Sequence, residues 1–505
     1  MPELVVRLQK IKVFGRPGGG VYMSKLIHVY LTDYNHNQLL KEQEPLSFGP
    51  DKEGYKANEA NIFNVYDQVR YQEIVGFGGA MTQASAANLQ KMDEAQRNAV
   101  MRSFFDPKEG IGYSLCRTTI NSCDFSTEFY SYDDTENDWG LKDFNIEHDR
   151  SDVIPMIRQA MELSDELRLF SSPWSPPKWM KTNGRMDKGR YLRKDCRQVW
   201  ADYFVRFLQE YEKEGIRIWG VTIQNEARAE QGWESCYYTA QEEREFAQEY
   251  LKPALRKAGL DDRRLLFWDH NKERVFDRTM ETLATQEAQE ALDGVAVHWY
   301  AGDHFSALDA VHQMYPDKLI LATEACVGPG CCAYTSGEKY AHDIIGNVNH
   351  WAGGWVDWNM ILDDTGRPDH WMDEQLAFKK RFEESGCDES ALSETEREFL
   401  LPCVNSGIWR GEAPVVMDHE TKELHYSSSY YYMGHFSKFV RPGAVRIANS
   451  IYTDKLEVCT FANPDGSIAA IAMNPNEEDY PLVLRYHDEI ARTVVPAHGI
   501  VTYVF

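Results

Sequence analysis

A chain of 505 residues, 43% of them hydrophobic and 12% aromatic, exceeds the roughly 250–300 residues that one core serves and is too apolar to stay disordered. At least two globular units are expected. The 79 acidic against 54 basic residues leave a formal net charge of -25, which repels phosphate backbones and anionic membranes. Nucleic acid is thereby excluded as a natural partner, and a neutral or cationic one is favoured.

The first 25 residues form an N-terminal extension. It carries basic residues but neither the apolar core nor the small-residue cleavage site of a signal peptide. Cytoplasmic residence is therefore expected, and residues 1–22, before Met23, are expected to be dispensable. No run of the chain approaches the roughly 20 apolar residues of a bilayer crossing, so no integral membrane segment is expected. Segments within 26–72, such as "IHVYLTDY" and "NIFNVYDQV", alternate and read as antiparallel strands.

From residue 73 to 432 a different unit recurs: a short apolar run, a polar or aromatic end, then an amphipathic stretch. The runs are "EIVGFGGA" (73–80), "YSLCRTTI" (113–120), "LRLFSSPW" (167–174), "IWGVTIQNE" (218–226), "RLLFWDHN" (264–271), "GVAVHWY" (294–300), "LILATEA" (319–325) and "GWVDWNMIL" (354–362). Between them lie helical patterns at 86–105, 197–215 and 240–259. Strands alternating with helices pair in parallel, and eight such units suit an α/β fold closed as a (β/α)8 barrel. A doubly wound open sheet shares the alternation and is the competing architecture. Residues 373–400, charged and helix-prone, read as a solvated insertion, with a substrate-facing lid as the alternative. From 433 to 505 the alternating, turn-punctuated pattern returns. Since both ends share it, one all-β sandwich built from both termini is expected.

The ten cysteines lack any C-x-x-C spacing, which predicts free thiols; the adjacent Cys331-Cys332 is a weak metal signal without histidines. "GFGGA" has Met81 in place of the third glycine of a dinucleotide fingerprint, and P-loop, H-E-x-x-H and G-x-S-x-G motifs are lacking. No cofactor and no metal are expected.

In a (β/α)8 barrel the strand ends converge on one mouth. They bring Asp124, Trp174, Asn225, Glu226, His298, Tyr300, Glu324 and Trp358 together. Glu226 closes the fourth strand and Glu324 the seventh, so the two carboxylates oppose each other. One such group protonates a glycosidic oxygen while the other attacks or activates water; about 5–5.5 Å between them retains configuration and about 6.5–9.5 Å inverts it. A strand-end glutamate also serves as a plain salt-bridge partner, so context matters. Asn225 can bond a sugar hydroxyl, Tyr300 can hold Glu324, and Trp174, Trp179 and Trp358 offer walls for a sugar's apolar face.

Eight motifs taken in order sharpen this reading: "GFGGAMT", "RTTINSCDFS", "SSPWSPPKWMKTNG", "VTIQNEA", "VAVHWY", "LATEACVG", "GWVDWNMILD" and "GHFSKFVRPGA". From about 73 to 445 the chain resembles glycoside hydrolase family 30, in its glucosylceramidase-like branch. The resemblance implies a retaining β-glycosidase with Glu226 as acid/base and Glu324 as nucleophile. It further implies that Asp124, Trp174, Asn225, Tyr300 and Trp358 contact the substrate, with Arg117 and His298 in support. The expected partner is a small-molecule or oligosaccharide β-glycoside, most simply a glucoside attacked from its end. A β-1,6-glucanase, a β-xylosidase and a non-catalytic carbohydrate-binding protein are the alternatives; the retained carboxylate pair argues against the last. Ala227-Arg228 departs from the usual proline after Asn-Glu, and Gln83 stands where an aspartate commonly follows. A general acid must hold its proton while the nucleophile is ionised, so Glu226 is expected to titrate above Glu324.

Overall fold

The structure, a computed structural model, describes residues 26–51, 61–328, 330, 332–393, 396–397, 401 and 411–505. Eight strands run parallel: β1 (Gly76–Ala80), β2 (Leu115–Ile120), β3 (Arg168–Pro173), β4 (Ile218–Thr222), β5 (Arg264–Asn271), β6 (Gly294–His298), β7 (Leu319–Glu324) and β8 (Ala352–Asn359). Each lies beside its neighbour in sequence, and β8 returns to β1 through Gly354↔Gly76, closing a barrel. The open-sheet alternative is thereby removed.

Alternate residues of a strand share a face, and this periodicity fills the barrel in layers. Leu115, Phe170, Leu266, Ala296, Leu321 and Val356 form one apolar layer. Two residues further along β2, β3, β6, β7 and β8 stand Arg117, Ser172, His298, Thr323 and Trp358. The barrel therefore turns polar toward the carboxyl ends of its strands.

The helices around it follow the sequence with one clear correction. The pattern at 86–105 is two helices, Gln83–Lys91 and Glu94–Phe105, because Asp93 caps the second in a reciprocal pair with Gln96. The 197–215 pattern gives Arg197–Lys213, with Gly215 at φ 78 just beyond it. Segment 240–259 widens over Phe246–Leu251 ahead of Pro253, whose nitrogen has no hydrogen to donate.

The β-sandwich takes strands from both ends of the chain. Leu26–Asp33 pairs antiparallel with Gly499–Val504, and Ile62–Glu73 lies between Val445–Ile451 and Tyr480–Tyr486. Ile27, Phe63, Ile447, Leu484 and Tyr503 lie in its own core. Residue 433, where sequence alone begins the sandwich return, falls inside a buried helix, Ser428–Ser437, that bonds to both units. Tyr432 donates to the His498 carbonyl at 2.7 Å, the His435 ring bridges Thr32 and Thr502, and Ser437 donates to the Ile111 carbonyl at 2.6 Å. Burial pushes the His435 imidazole down to about 3, so it bonds as a neutral ring.

The helix Trp371–Glu384 starts two residues before the expected insertion at 373–400 and runs on into it. Its start faces the barrel mouth, while Phe378 and Phe382 bury against Leu401. Eight cysteines among the described residues are free thiols, Cys332 and Cys387 exposed. The extension at 1–25, Cys331 and Cys403 lie outside the described residues. Among the described residues no helix is long and apolar enough to cross a membrane.

Two predictions follow from how the parts meet. A Cβ on Gly78 would stand 1.9 Å from the Leu115 carbonyl oxygen, at the seam where β1 and β2 pair only through Ala80↔Arg117. Gly78→Ala is expected to cost at least the ~1–3 kcal/mol of an overpacked core, read as a fall in melting temperature; a wild-type melt would refute the close approach. Between barrel and sandwich, His342 Nδ1 meets both Glu457 oxygens at 2.9 Å and its Nε2 lies 3.2 Å from Asp303. Hydrogen bonding to Glu457 lifts this imidazole to about 9. A raised folded-state value stabilises below the unfolded value of about 6.5 and is lost as pH rises through about 9. His342→Ala should therefore melt ~1–2 °C below wild type in mild acid, a small gap because the pair is partly exposed. The gap should close in alkali, and one independent of pH would exclude the ion pair.

Candidate active site

The site is built around a residue whose direction the alternation does not forecast. On β5 the apolar layer holds Leu266, so strict alternation would aim Trp268 inward and Asp269 outward. Instead the pairing of β5 with β6 slips between Trp268 and His270, and both Trp268 (φ 73) and Asp269 (φ 46) adopt left-handed backbone. Such conformations are costly for these residues and mark constrained sites. Glu243 helps hold the bulge by accepting the Trp268 N–H at 2.8 Å. Asp269 thereby turns into the barrel, fully buried.

There its carboxylate gathers donors from neighbouring strands. Oδ2 accepts from Arg117 Nη2 at 2.8 Å, Ser172 Oγ at 3.0 Å and Thr222 Oγ1 at 2.6 Å. Oδ1 accepts from Thr323 Oγ1 at 2.6 Å and meets His298 Nε2 at 3.0 Å. Burial opposes the charge, but Arg117, His298 and the hydroxyls outweigh it and hold this carboxyl well below the usual range.

Arg117 carries the network onward. Its Nη1 donates to Glu324 Oε2, Nη2 also to Asn225 Oδ1 at 2.8 Å, and Nε to Ser172 at 3.0 Å. Its guanidinium carbon lies 4.5 Å from the Trp174 ring centre, a cation–π contact. Tyr300 donates its hydroxyl to Glu324 Oε1 at 2.9 Å; burial and the Glu324 charge keep that phenol protonated. Both Glu324 oxygens are thus fixed.

Glu226 is held differently. Its backbone takes φ 47, its N–H donates to the Asp269 carbonyl at 2.8 Å, and its carbonyl accepts from Ala229 in a tight turn. Its Oε1 lies 3.6 Å from His270 Nδ1 and 3.6 Å from His298 Nδ1. The same His298 nitrogen is 3.9 Å from Glu324 Oε1, so one imidazole stands within reach of both carboxylates. Burial lifts the Glu226 proton affinity, yet the two imidazoles outweigh it and set the group below its ordinary value. His298, buried but flanked by Glu324, Asp269 and Glu226, is pushed up to about 9. His298 therefore competes with Glu226 for the proton that an acid at Glu226 would need on its carboxyl.

These groups line or support a cavity of about 460 Å³. Of the nine expected residues, Asp124, Trp174, Asn225, Glu226, Tyr300, Glu324 and Trp358 line it. Arg117 and His298 are buried and bond to its walls. Trp174 and Trp358 stack at 4.9 Å and 14°. Asp124 Oδ1 has no hydrogen-bond partner, and burial with the charges of Glu324, Glu234 and Glu226 pushes its carboxyl well above the usual range. Trp179 is not a wall: its indole donates to the Asp133 carbonyl at 3.0 Å and packs on Trp139. Sequence reading passed over Asp269, His270 and Asn271, although "WDHN" ends a strand as "IQNE" does. It also passed over Trp233 and Trp371, whose rings meet at 4.8 Å on the cavity wall. Gln83 donates to Asp152 at 3.0 Å and accepts from the Thr127 N–H; an aspartate there could not donate to Asp152. Among the described residues, Glu226, His270 and His298 offer ligand atoms within 4.8 Å of one another, a spacing able to hold a metal ion.

Comparison with known proteins agrees with this architecture. Residues 74–377 match the glycosyl hydrolase family 30 TIM-barrel domain and 443–503 that family's beta sandwich domain. Mouse lysosomal acid glucosylceramidase is 32% identical over 470 residues, covering 88% of this chain and 83% of the mouse protein. Endo-1,6-beta-D-glucanase BGN16.3 of Trichoderma harzianum is 27% identical over 425 residues, 80% of this chain and 78% of its own. The crystal structure of SrfJ from Salmonella typhimurium superposes with a TM-score of 0.84 at 30% identity, covering 95% of this chain and 99% of SrfJ. With both domains matched in order around a cleft of opposed carboxylates, the chain belongs to glycosyl hydrolase family 30 and is a glycoside hydrolase.

Proposed function

We propose that this enzyme is a retaining, exo-acting β-glycosidase for neutral β-linked sugars, glucosides first, with Glu226 as acid/base and Glu324 as nucleophile. The observation that carries the reading is the pair of carboxylates opposed across one cavity around His298 Nδ1. Their unequal support favours these roles. Glu324 is fixed through both oxygens by Arg117 and Tyr300, as an attacking atom must be held in line. Glu226 instead lies 3.6 Å from two imidazoles, groups able to take up and return a proton.

In the first step a Glu324 oxygen attacks the anomeric carbon while Glu226 gives its proton to the departing oxygen, leaving a glycosyl ester. In the second, Glu226 takes a proton from water, whose oxygen attacks the same carbon and frees Glu324, so configuration is retained. A bound glycoside displaces water from Glu226 and favours its neutral form, drawing the proton from the His298 pair. Asn225, whose oxygen is taken by Arg117, keeps its amide hydrogens for the sugar's 2-hydroxyl. Asp124 Oδ1 awaits another hydroxyl, and the stacked indoles face the sugar's apolar side.

Two features support attack on a terminal sugar. The Trp174–Trp358 stack closes one side, with Phe125 edge-on to Trp358, and the Trp371–Glu384 helix brings Trp371 and Gln375 to the same cavity. Trp233 against Trp371 offers an apolar rim that suits an alkyl aglycone such as a lipid. The fungal β-1,6-glucanase relatives favour a second reading, endo-cleavage of a β-1,6-glucan. Free thiols throughout the described chain suit a reducing, cytoplasmic setting.

The two carboxylates are separated by what each variant still does. Glu324→Ala should lose nearly all hydrolysis of an activated aryl β-glucoside, and added azide should give the α-glucosyl azide. Glu226→Ala should keep its first step on that substrate, since the acid contribution of about 10²–10⁴-fold is then unnecessary. Azide should resolve its intermediate to the β-azide. Swapped anomers, read by proton NMR, would reverse the roles, and wild-type activity in either variant would remove that residue.

A second experiment addresses the aglycone. Trp371→Ala should lower kcat/KM for octyl β-glucoside by about tenfold while changing methyl β-glucoside little, as loss of one large aromatic contact predicts. Equal losses would place Trp371 against the sugar instead. Rapid release of oligosaccharides from β-1,6-glucan would replace the exo-acting reading with the endo one.

A further inference from the structure

The cavity contains a feature that glycoside cleavage does not require. His270 Nδ1 and His298 Nδ1 are buried beside Glu226 and make no hydrogen bond, although buried polar atoms are ordinarily paired. Each lies 3.6 Å from the same oxygen, Glu226 Oε1. A tetrahedral ion with bonds of about 2.0–2.2 Å sets its ligands about 3.3–3.6 Å apart. We propose that Glu226, His270 and His298 form a binding site for a borderline-soft divalent cation, Zn²⁺ first, whose occupancy reversibly blocks the acid/base carboxylate.

The surroundings fit such an ion. His298 Nε2 meets the Asp269 carboxylate at 3.0 Å, the carboxylate–histidine arrangement that orients a metal-bound imidazole. Two imidazoles and one carboxylate select Zn²⁺ or Cu²⁺ over Mg²⁺ and Ca²⁺, which take oxygen ligands. Glu226 and His270 line the cavity, so a fourth position is open to water or a sugar hydroxyl. Coordination uses the His298 Nδ1 lone pair, and the proton held there passes to the buffer. The ligands come from the segment after β4 and the ends of β5 and β6 and form no linear motif, which is why sequence alone predicts no metal. An ion at Glu226 Oε1 would sit where the departing oxygen must receive its proton. Inhibition should therefore compete with substrate, a consequence that rests on Glu226 being the acid/base.

The test uses the full chain with exposed thiols, Cys332 and Cys387 among them, blocked by N-ethylmaleimide. Co²⁺ should give the visible absorption of a four- or five-coordinate nitrogen–oxygen site, titrating one to one. Zn²⁺ should displace it at micromolar concentration and inhibit aryl glucoside hydrolysis competitively, with EDTA restoring the rate. Glu226→Gln and His270→Asn, each checked for a wild-type melt, should weaken Zn²⁺ binding by at least about tenfold. Unchanged Zn²⁺ affinity in both folded variants, or no Co²⁺ spectrum and no inhibition at millimolar metal, would overturn the site. The spectrum does not need turnover. Metal binding by the wild-type chain alongside full activity of Glu226→Ala would sink the catalytic assignment and spare the site; no metal binding by the wild-type chain alongside lost activity of Glu226→Ala would do the converse.

Discussion

A buried carboxylate, Asp269, bonded to a buried guanidinium, Arg117, is the interaction on which this cleft depends. Burying either charge alone is expensive, and removing one partner strands the other. The pair is tolerable because the remaining valences are filled by Ser172, Thr222, Thr323 and His298. Those residues come from β3, β4, β7 and β6, while Arg117 and Asp269 come from β2 and β5. Six of the eight strands therefore meet at one carboxylate. The barrel's polar layer is a specified network and not a loosely solvated end, since a partly satisfied one would cost more than an apolar layer.

This arrangement explains what the amino-acid sequence makes legible. The eight strands are readable because apolar runs alternate with amphipathic helices, and the mouth is readable because those runs end in polar groups. Glu324 closes β7, while Asn225, Glu226 and Tyr300 lie just past the ends of β4 and β6, within the polar ends that those runs announce. Asp269 is hidden because a bulge reverses the count: period-two reading aims it outward. Nothing in "RLLFWDHN" announces the two left-handed residues, which lean on Glu243, a buried acceptor on the helical segment that precedes β5. His270, just past the bulge, shares that concealment. Trp179 misleads for the opposite reason, since a tryptophan in a site motif and one in the adjacent core look the same until the indole's partner is known.

The joint between barrel and sandwich was legible only in part. Alternating strands at both ends identify a shared sheet, as the pairing of Leu26–Asp33 with Gly499–Val504 bears out. The helix Ser428–Ser437 gives no such signal, because it is buried on nearly every side and lacks the polar stripe that marks an amphipathic helix. The split at 92–93 is different. There "DEAQ" carries a capping box that could have been read.

The bulge also couples the two carboxylates of the site. The Asp269 side chain holds Arg117, which holds Glu324. The Asp269 main-chain carbonyl accepts the Glu226 N–H at 2.8 Å, and Glu226 itself is kept at φ 47, a conformation costing of order 1–3 kcal/mol unless its surroundings impose it. A proline at 227 would bias the residue before it toward extended backbone, whereas Ala227, fully buried, leaves Glu226 free to take the left-handed turn closed by Ala229. One residue thus positions both carboxylates, one through its side chain and the other through its backbone. A shift of the bulge would move them together, and their separation, the quantity that decides the stereochemistry of cleavage, is protected by the same contacts that satisfy a buried charge.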